Sequence, residues 1–255
     1  LPVRVRKGDE ERIESRIFLL TSRGKLIPLW DREALLAEGV MPKTAPAVEE
    51  DRYDLALIKR FVEGWRPNPA EAVKRLMEKI DYYMEFPVEE QLEFITVWTF
   101  ATYLFPLFEA FSYVYVSGTK RVGKTKLGRI VKLTGFNGRL SASISTPSIY
   151  RLLEATRGLV VFDEEEKLAR RSERSEVFRS VILSGYKRGG KVYRVEGEQR
   201  KYVRGYEVYG PRLFINISGM EEVLADRTIF FLLLRATGPK GDREVHENDP
   251  EWKVI

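Results

Sequence analysis

The stretch from 111 to 235 predicts an α/β fold, a mainly parallel β-sheet with helices on its faces, preceded by a mostly helical N-terminal region. Three observations predict it. Phe111 to Val116 is an aromatic and β-branched run that reads as a strand, and a glycine-bracketed turn and a helical period follow it directly. Downstream, short apolar runs alternate with helix-length segments, the pattern of βα units. Two of those runs, in Gly158-Leu-Val-Val-Phe-Asp163 and Pro211-Arg-Leu-Phe-Ile-Asn-Ile-Ser-Gly219, are almost continuously apolar, as in strands buried on both faces.

Taken in order, residues 12–30 predict a β-hairpin: Arg12 to Leu20, a turn at Ser22-Arg-Gly-Lys25, then Leu26 to Trp30. Asp31 can cap a short helix through Ala37, ended near Gly39. Pro42 to Pro46 marks a loop, and Asp51 or Asp54 starts a helix that closes near Gly64. Asn68-Pro69 is a cap with proline in the first helical position, and Ala70, Val73, Leu76, Met77 and Ile80 recur at helical spacing. Pro87 opens a further helix. Its segment Phe94 to Phe108 carries no charge, but it is shorter than the ~20 residues that span a bilayer and Pro106 interrupts it, so a buried helix is expected. Residues 1–110 hold no catalytic constellation and are expected to pack, communicate or bind a partner.

The turn after the first core strand is Gly118-Thr119-Lys120-Arg121-Val122-Gly123-Lys124-Thr125, the full GxxxxGK[ST] spacing between a strand and a helix whose Leu127, Ile130 and Val131 share one side. With average residue usage such a match arises by chance about once in a hundred chains of this length. Glycine lets backbone approach a phosphate closely, and N–H groups at the helix start hold the anion. The expected nucleotide contacts are Gly118, Thr119, Lys120, Val122, Gly123, Lys124, Thr125 and Lys126. Lys124 is expected on the β- and γ-phosphates of ATP and Thr125 on Mg²⁺. Beyond this helix, Arg139 to Ile144 can form a strand, Thr146-Pro147 caps a helix through Ala155, and Glu176 to Ser184 is helical. Glu221 to Leu224 is a short helix and Thr228 to Leu234 a last strand.

Leu159-Val-Val-Phe162-Asp163-Glu164 is an apolar strand ending in two acids, about 40 residues after the glycine loop. Asp163 is expected to hold the metal and Glu164 to polarise the attacking water. Glu165 and Glu166 suit a helix start. Asn216 is a polar residue inside a buried strand, where it needs a role or a hydrogen-bond partner, and Ser218 is its alternate. Arg227, just before the last strand, could reach a neighbouring subunit's γ-phosphate or could pair with Asp226. Arg212 and Arg235 compete for that role.

Tyr186 to Tyr206 carries Lys187, Arg188, Lys191, Arg194, Arg200, Lys201 and Arg204 against Glu196 and Glu198, an excess equal to the formal +5 of the whole chain. It predicts a basic hairpin insertion over 186–209, turning at Glu196-Gly-Glu-Gln199. Cations interleaved with tyrosines such as Tyr193 suit a phosphate-tracking, base-stacking surface; a solvated, charge-rich hairpin is the plain alternative.

Composition narrows the classes. The chain has 255 residues, 44% hydrophobic and 32% charged, enough for one good core and an appendage. It has no cysteine, which excludes disulfides and thiolate metal sites, and its one histidine, His246, lies in a polar stretch. Charge richness without cysteine leans thermophilic. The opening LPVRVRKGDEER is too charged for a signal peptide and lacks Met, so a cytoplasmic piece of a longer protein is expected.

Together SGTKRVGKT, SIYRLLEATRGLVVFDE, YKRGGKVYRVE with YEVYGPRLFINI, and LADRTIFFLLLR resemble the ring-forming AAA+-like helicase ATPases of archaeal, viral and plasmid replication, of the superfamily 3 and primase-helicase kind. The resemblance covers about 110–235. It implies a P-loop ATPase core of the additional-strand type, with Lys124 and Thr125 on ATP–Mg²⁺, Asp163 and Glu164 as metal site and base, Asn216 as γ-phosphate sensor between the P-loop and acid-bearing strands, and Arg227 as a finger acting in trans. It also implies a DNA helicase working as a homo-oligomeric ring, a hexamer among the candidate sizes. The hairpin would project into the pore, on DNA that is single-stranded first, with RNA left open. The sequence departs in two respects: residues 236–255 form a polar tail where a lid would follow, and no primase-type acidic triad or zinc knuckle is present. A nucleotide-dependent switch or scaffold that assembles with partners and does not translocate is the rival reading.

Overall fold

The computed structural model of the chain describes residues 2–7, 10–15, 17–40, 55–141, 146–163, 173–196, 202–215, 222–249 and 252. The chain divides into two compact units, Leu1–Asn68 and Pro69–Ile255. Among the described residues no helix is long and apolar enough to cross a membrane.

The first unit opens with two hairpins. β1 (Pro2–Lys7) pairs antiparallel with β2 (Glu10–Ser15), and β3 (Phe18–Leu20) with β4 (Leu26–Pro28). The single hairpin expected over 12–30 is therefore shorter, because Arg12 to Ser15 pair backwards with β1. Gly24, at φ 85°, makes the β3–β4 turn. α1 (Arg32–Ala37) is capped by Asp31, whose carboxylate accepts the Ala34 N–H at 3.0 Å. α2 (Leu55–Val62) closes at Gly64, φ 102°. The loop at 42–46 and the helix starts at Asp51 or Asp54 lie outside the described residues.

In the second unit α3 (Pro69–Tyr83) and α4 (Glu89–Ala101) lead into a 3-10 turn at Phe105–Leu107 around Pro106. β5 (Tyr113–Ser117) and α5 (Lys124–Thr134) bracket the glycine loop. β6 (Arg139–Ser141), α6 (Thr146–Thr156), β7 (Val160–Asp163) and α7 (Glu173–Ser184) come next. β8 (Lys191–Glu196) and β9 (Tyr202–Glu207) form a separate antiparallel pair, then β10 (Arg212–Ile215), α8 (Glu222–Ala225) and β11 (Thr228–Leu232) complete the core.

The central sheet has five strands in the order β11-β5-β10-β7-β6, every pair parallel. This is the α/β class expected from the sequence, with β10 inserted between the loop strand and the acid-bearing strand. Alternation along the strands divides the core in two. Val114, Val116, Val161, Leu213 and Ile215 face α3, α4 and α5 through Leu76, Ile80, Ile95, Trp98, Leu127 and Ile130. Tyr113, Val160, Phe162 and Phe214 face the other way, onto Ile149 and Leu153 of α6, Phe178 and Val181 of α7, and Val192 and Tyr206 of the hairpin. Each large apolar side chain so buried contributes roughly 1.5–3 kcal/mol. α3 and α4 thus belong to the sheet's own core, and the unit boundary falls at 68 rather than 110. In the segment after β11, expected as a polar tail, a 3-10 turn forms at Pro239–Asp242, and Val245 and Trp252 are buried in the α5 side of the core.

Candidate functional site

The loop between β5 and α5 is shaped by two glycines at positive φ, Gly118 at 146° and Gly123 at 90°. A Cβ on Gly118 would stand 2.6 Å from the Leu233 carbonyl oxygen, so the chain just past β11 forms a wall that only glycine can approach. Gly123 is the left-handed N-cap of α5. Arg121, at φ 65°, adds a strained non-glycine residue to the same turn. Val122 is buried, with its methyl against Gly118, while Thr119 and Lys120 are exposed.

Lys124 is 9% exposed, and its ammonium donates to the carbonyls of Gly118 at 2.6 Å and Thr119 at 2.7 Å. An ammonium has three protons, so one remains for an incoming anion. The helix it starts has no side-chain cap and no acid in its first turn. Helix starts ordinarily favour negative charge. Here the positive helix end is joined by Lys124, a combination that suits an external anion such as phosphate. Thr125, half-buried beside Lys124, presents a hydroxyl in the same turn.

α5 lies close on the sheet because Gly128 has no side chain: a Cβ there would meet the Ile215 δ-methyl at 2.4 Å and a Val161 methyl at 3.2 Å. The helix start is thereby held over β10 and β7. At their carboxyl ends Val116, Ile215 and Asp163 form one row, Ile215 being paired with both neighbours. Strands lie about 4.8 Å apart, which puts the Asp163 backbone about 10 Å from Val116 across two strands. Asp163 is 4% exposed and has an interaction partner. The strand order thus brings Gly118, Gly123, Lys124, Thr125 and Asp163 to one edge of the sheet. Glu164, Asn216 and the alternate Ser218 follow that row in sequence but lie outside the described residues, as do Glu165 and Glu166. Among the described residues no cluster of three or more histidines, cysteines or acids could hold a metal ion.

Other candidates separate from this edge. The Lys126 side chain is turned to the backbone carbonyls of Lys240, Gly241 and Arg243, so its ammonium is directed away from the loop and its backbone N–H is what it offers at the helix start. Arg227 precedes β11 at the opposite, amino-terminal edge of the sheet, where its carbonyl accepts the Tyr113 N–H at 2.9 Å. Its guanidinium donates to Leu183 O at 2.7 Å and lies 5.3 Å from the Tyr186 ring. Serving a neighbour's phosphate would require it to leave both. Arg212 is excluded as its competitor: it is 1% exposed, donates to the carbonyls of Gly158, Pro211 and Val208, and its Nε has no partner. Burial lowers its pKa to about 10, against a smaller opposing pull from Tyr113. It is a buried brace. Arg235 is exposed at the loop's own edge, beyond Leu233.

The hairpin arms pair from Lys191↔Glu207 to Glu196↔Tyr202. Alternation sends Val192, Arg194 and Glu196, with Arg204 and Tyr206, toward α6. There Arg204 binds Glu154 at 2.7 Å, Arg194 lies 5.2 Å from the Tyr150 ring, and Arg151 reaches Glu196 at 2.8 Å. The Tyr206 hydroxyl, ahead of Arg151, holds the Glu196 carboxyl below its usual pKa. Lys191 pairs with Glu207 at 3.3 Å and Arg188 with Glu109. Lys187 is exposed, and Arg200 and Lys201 lie outside the described residues. The outward face instead shows Tyr193, Val195 and Val203, each more than half exposed, with the Tyr193 ring over Gly205. The count of cations had hidden this. The period-two reading of KVYRV, which sets Lys191, Tyr193 and Val195 on one face, would have revealed it.

No family model matches this chain, and no curated protein matches it. Among solved structures it is similar to NtrX from Brucella abortus in complex with ATP, at 12% identity over 70% of this chain and 44% of that one, with a TM-score of 0.33. It is also similar to the apo form of the NrS-1 C-terminal region, at 13% identity over 82% of this chain and 53% of that one, with a TM-score of 0.36. The chain spans about half the length of both solved chains.

Proposed function

We propose that the chain binds and hydrolyses ATP at the β5–α5 loop and uses the cycle to move along nucleic acid, as a ring-forming DNA helicase or helicase-like replication ATPase. The observation that carries the nucleotide part is a buried lysine at an uncapped helix start, beside two positive-φ glycines and level with a buried aspartate. Binding exchanges the Lys124 bonds to Gly118 and Thr119 for bonds to the β- and γ-phosphates, while the α5 N–H groups take the remaining oxygens. Thr125 and Asp163 would hold Mg²⁺, which supplies charge neutralisation on the β- and γ-oxygens. Glu164 orients water, Asn216 reads the γ-phosphate and Arg227 serves a neighbouring subunit. The hairpin's contact with α6, the helix preceding β7, offers a route from the acid strand to a nucleic-acid-facing element.

A second reading is favoured by one observation: the hairpin's described cations are largely paired with acids or stacked on rings, and its free face is apolar. That suits a nucleotide-dependent switch or scaffold that assembles with protein partners. ATPase rate with and without single-stranded DNA, read beside oligomer mass with nucleotide, separates the two. Stimulation by DNA supports the motor, and nucleotide-dependent assembly without stimulation supports the switch.

A further inference from the structure

The chain past β11 runs back across the second unit as a strap. Thr237 donates its N–H and hydroxyl, and Gly238 its N–H, to the Glu85 carboxylate at 3.0–3.1 Å. Lys240 meets Asp81 at 2.6 Å, Arg243 donates to the Tyr82 carbonyl, and Lys132 meets Glu247 at 2.5 Å. Trp252 stacks on Tyr83, with centroids 5.5 Å apart and planes 25° apart.

Three contacts link this strap and its anchor to the glycine loop and the first turn of α5. Leu233 walls Gly118, and Met84, next to the strap's anchor Glu85, lies 3.4 Å from where a Gly123 Cβ would be. The third is Lys126. Its ammonium donates to the carbonyls of Lys240 at 2.8 Å, Gly241 at 3.0 Å and Arg243 at 3.1 Å. That engages every proton the group has. Lys124 ties the first turn of α5 only to its own loop, whereas Lys126 ties it to chain more than a hundred residues away. First turns fray when uncapped, and this one has no side-chain cap.

The structure assigns to Lys126 a positioning role: by lashing the strap to the first turn of α5 it fixes the turn that carries Lys124 and Thr125, so strap docking and nucleotide binding at the loop are coupled. This rests on the nucleotide site proposed above. Coupling is reciprocal, so bound nucleotide also holds the strap down.

The test measures affinity for ATP by calorimetry and cleavage within 237–249 by a protease, in the whole chain. Five proteins are compared: wild type, Lys126→Met, Lys126→Arg, Asp81→Asn and the double variant Asp81→Asn with Lys126→Met. In wild type, ATP slows strap cleavage. Lys126→Met speeds it and weakens ATP binding about fivefold or more, and Lys126→Arg recovers most of both. Asp81→Asn, which loosens the strap from α3 without touching α5, weakens ATP binding in the same direction. Adding Lys126→Met to it costs less than Lys126→Met alone, because the strap is already free. Faster cleavage in Lys126→Met with wild-type ATP affinity overturns the inference. So does weakened binding with an intact strap, which would mark a direct phosphate contact. If Lys126→Met does not fold, Asp81→Asn decides alone: a freed strap with unchanged affinity overturns it. Absence of ATP binding in wild type removes the nucleotide site itself, and this inference with it.

Discussion

Asp163 stands level with Val116 although their strands are not neighbours; Ile215 pairs with both and spaces them by one strand on each side. Val116 leads into the glycine loop, so the row fixes how far a buried carboxylate lies from that turn. About 10 Å of backbone separation is a distance that side chains reaching from both ends, with the cation proposed between Thr125 and Asp163, would have to span.

Lys124→Met is expected to abolish detectable ATP binding and lower hydrolysis about 100-fold or more, since it removes the buried ammonium held against the loop carbonyls of Gly118 and Thr119. It should leave stability within about 1 kcal/mol, because a lysine at a helix start opposes the dipole. Calorimetric titration with ATP and a thermal melt check the two halves. Loss of binding with a collapsed melt would show the residue to be structural.

Two glycines that look alike in sequence should behave differently. Gly118→Ala forces a Cβ to 2.6 Å from the Leu233 carbonyl at φ 146°. Backbone cannot move cheaply, so destabilisation of about 2–3 kcal/mol and lost ATP binding are expected. Gly128→Ala meets a terminal methyl of Ile215, which can rotate, and alanine gains about 1 kcal/mol in a helix interior. Its melt should shift little, while Gly128→Val, with two more methyls against Ile215 and Val161, should lose about 1–3 kcal/mol. Equal melts for Gly118→Ala and wild type would contradict the wall.

If the hairpin tracks phosphates, its cations should differ in what they contribute. Lys187 has no ion-pair partner among the described residues, and its removal should lower the slope of log affinity against log salt for single-stranded DNA by about 0.7. Lys191 and Arg204 already face Glu207 and Glu154, so removing either should change the slope by less. Tyr193→Ser should leave the melt unchanged, because the ring is 63% exposed, yet weaken binding if bases stack there. DNA titrations across a salt series read all of these, and identical slopes for every variant would favour the switch.

What the sequence made legible is whatever depends on local chemistry. The glycine loop, the apolar strand ending in Asp163, the cap at Asp31 and the hairpin arms are each specified within about ten residues. The boundary at 68 was not, because the periodicity of α3 and α4 says that one face is buried without saying against what. The strap was invisible for another reason. GPKGDREVHENDPEW has almost no apolar period, and apart from Val245 and Trp252 it is held by hydrogen bonds and ion pairs to residues more than a hundred positions away. Lys126 is expected among the nucleotide contacts from its place in the loop; only the return of the chain shows that its side chain binds the Lys240, Gly241 and Arg243 carbonyls.

The same strap predicts a pH dependence. The Glu85 carboxyl is held below its ordinary value, first by the Thr237 N–H, then by the Gly238 N–H and the Thr237 hydroxyl, with burial opposing and Lys240 adding a little. A carboxylate whose pKa is lower folded than unfolded contributes stability that is fully present above the unfolded value, near 4.5, and is lost as pH falls through the folded one. Asp81 and Lys240 lie beside it as the other charged groups of the anchor. Glu85→Gln keeps the shape and removes the charge. Wild type should therefore melt higher than Glu85→Gln at neutral pH, and the gap should close as pH falls through the lowered folded value, because protonated Glu85 is no better an acceptor than the amide. Strap cleavage should follow the same course, slow in wild type at pH 7 and fast in Glu85→Gln at every pH. A gap that does not narrow at any pH below the unfolded value would mean that shape, not charge, seats Thr237 and Gly238 on this residue.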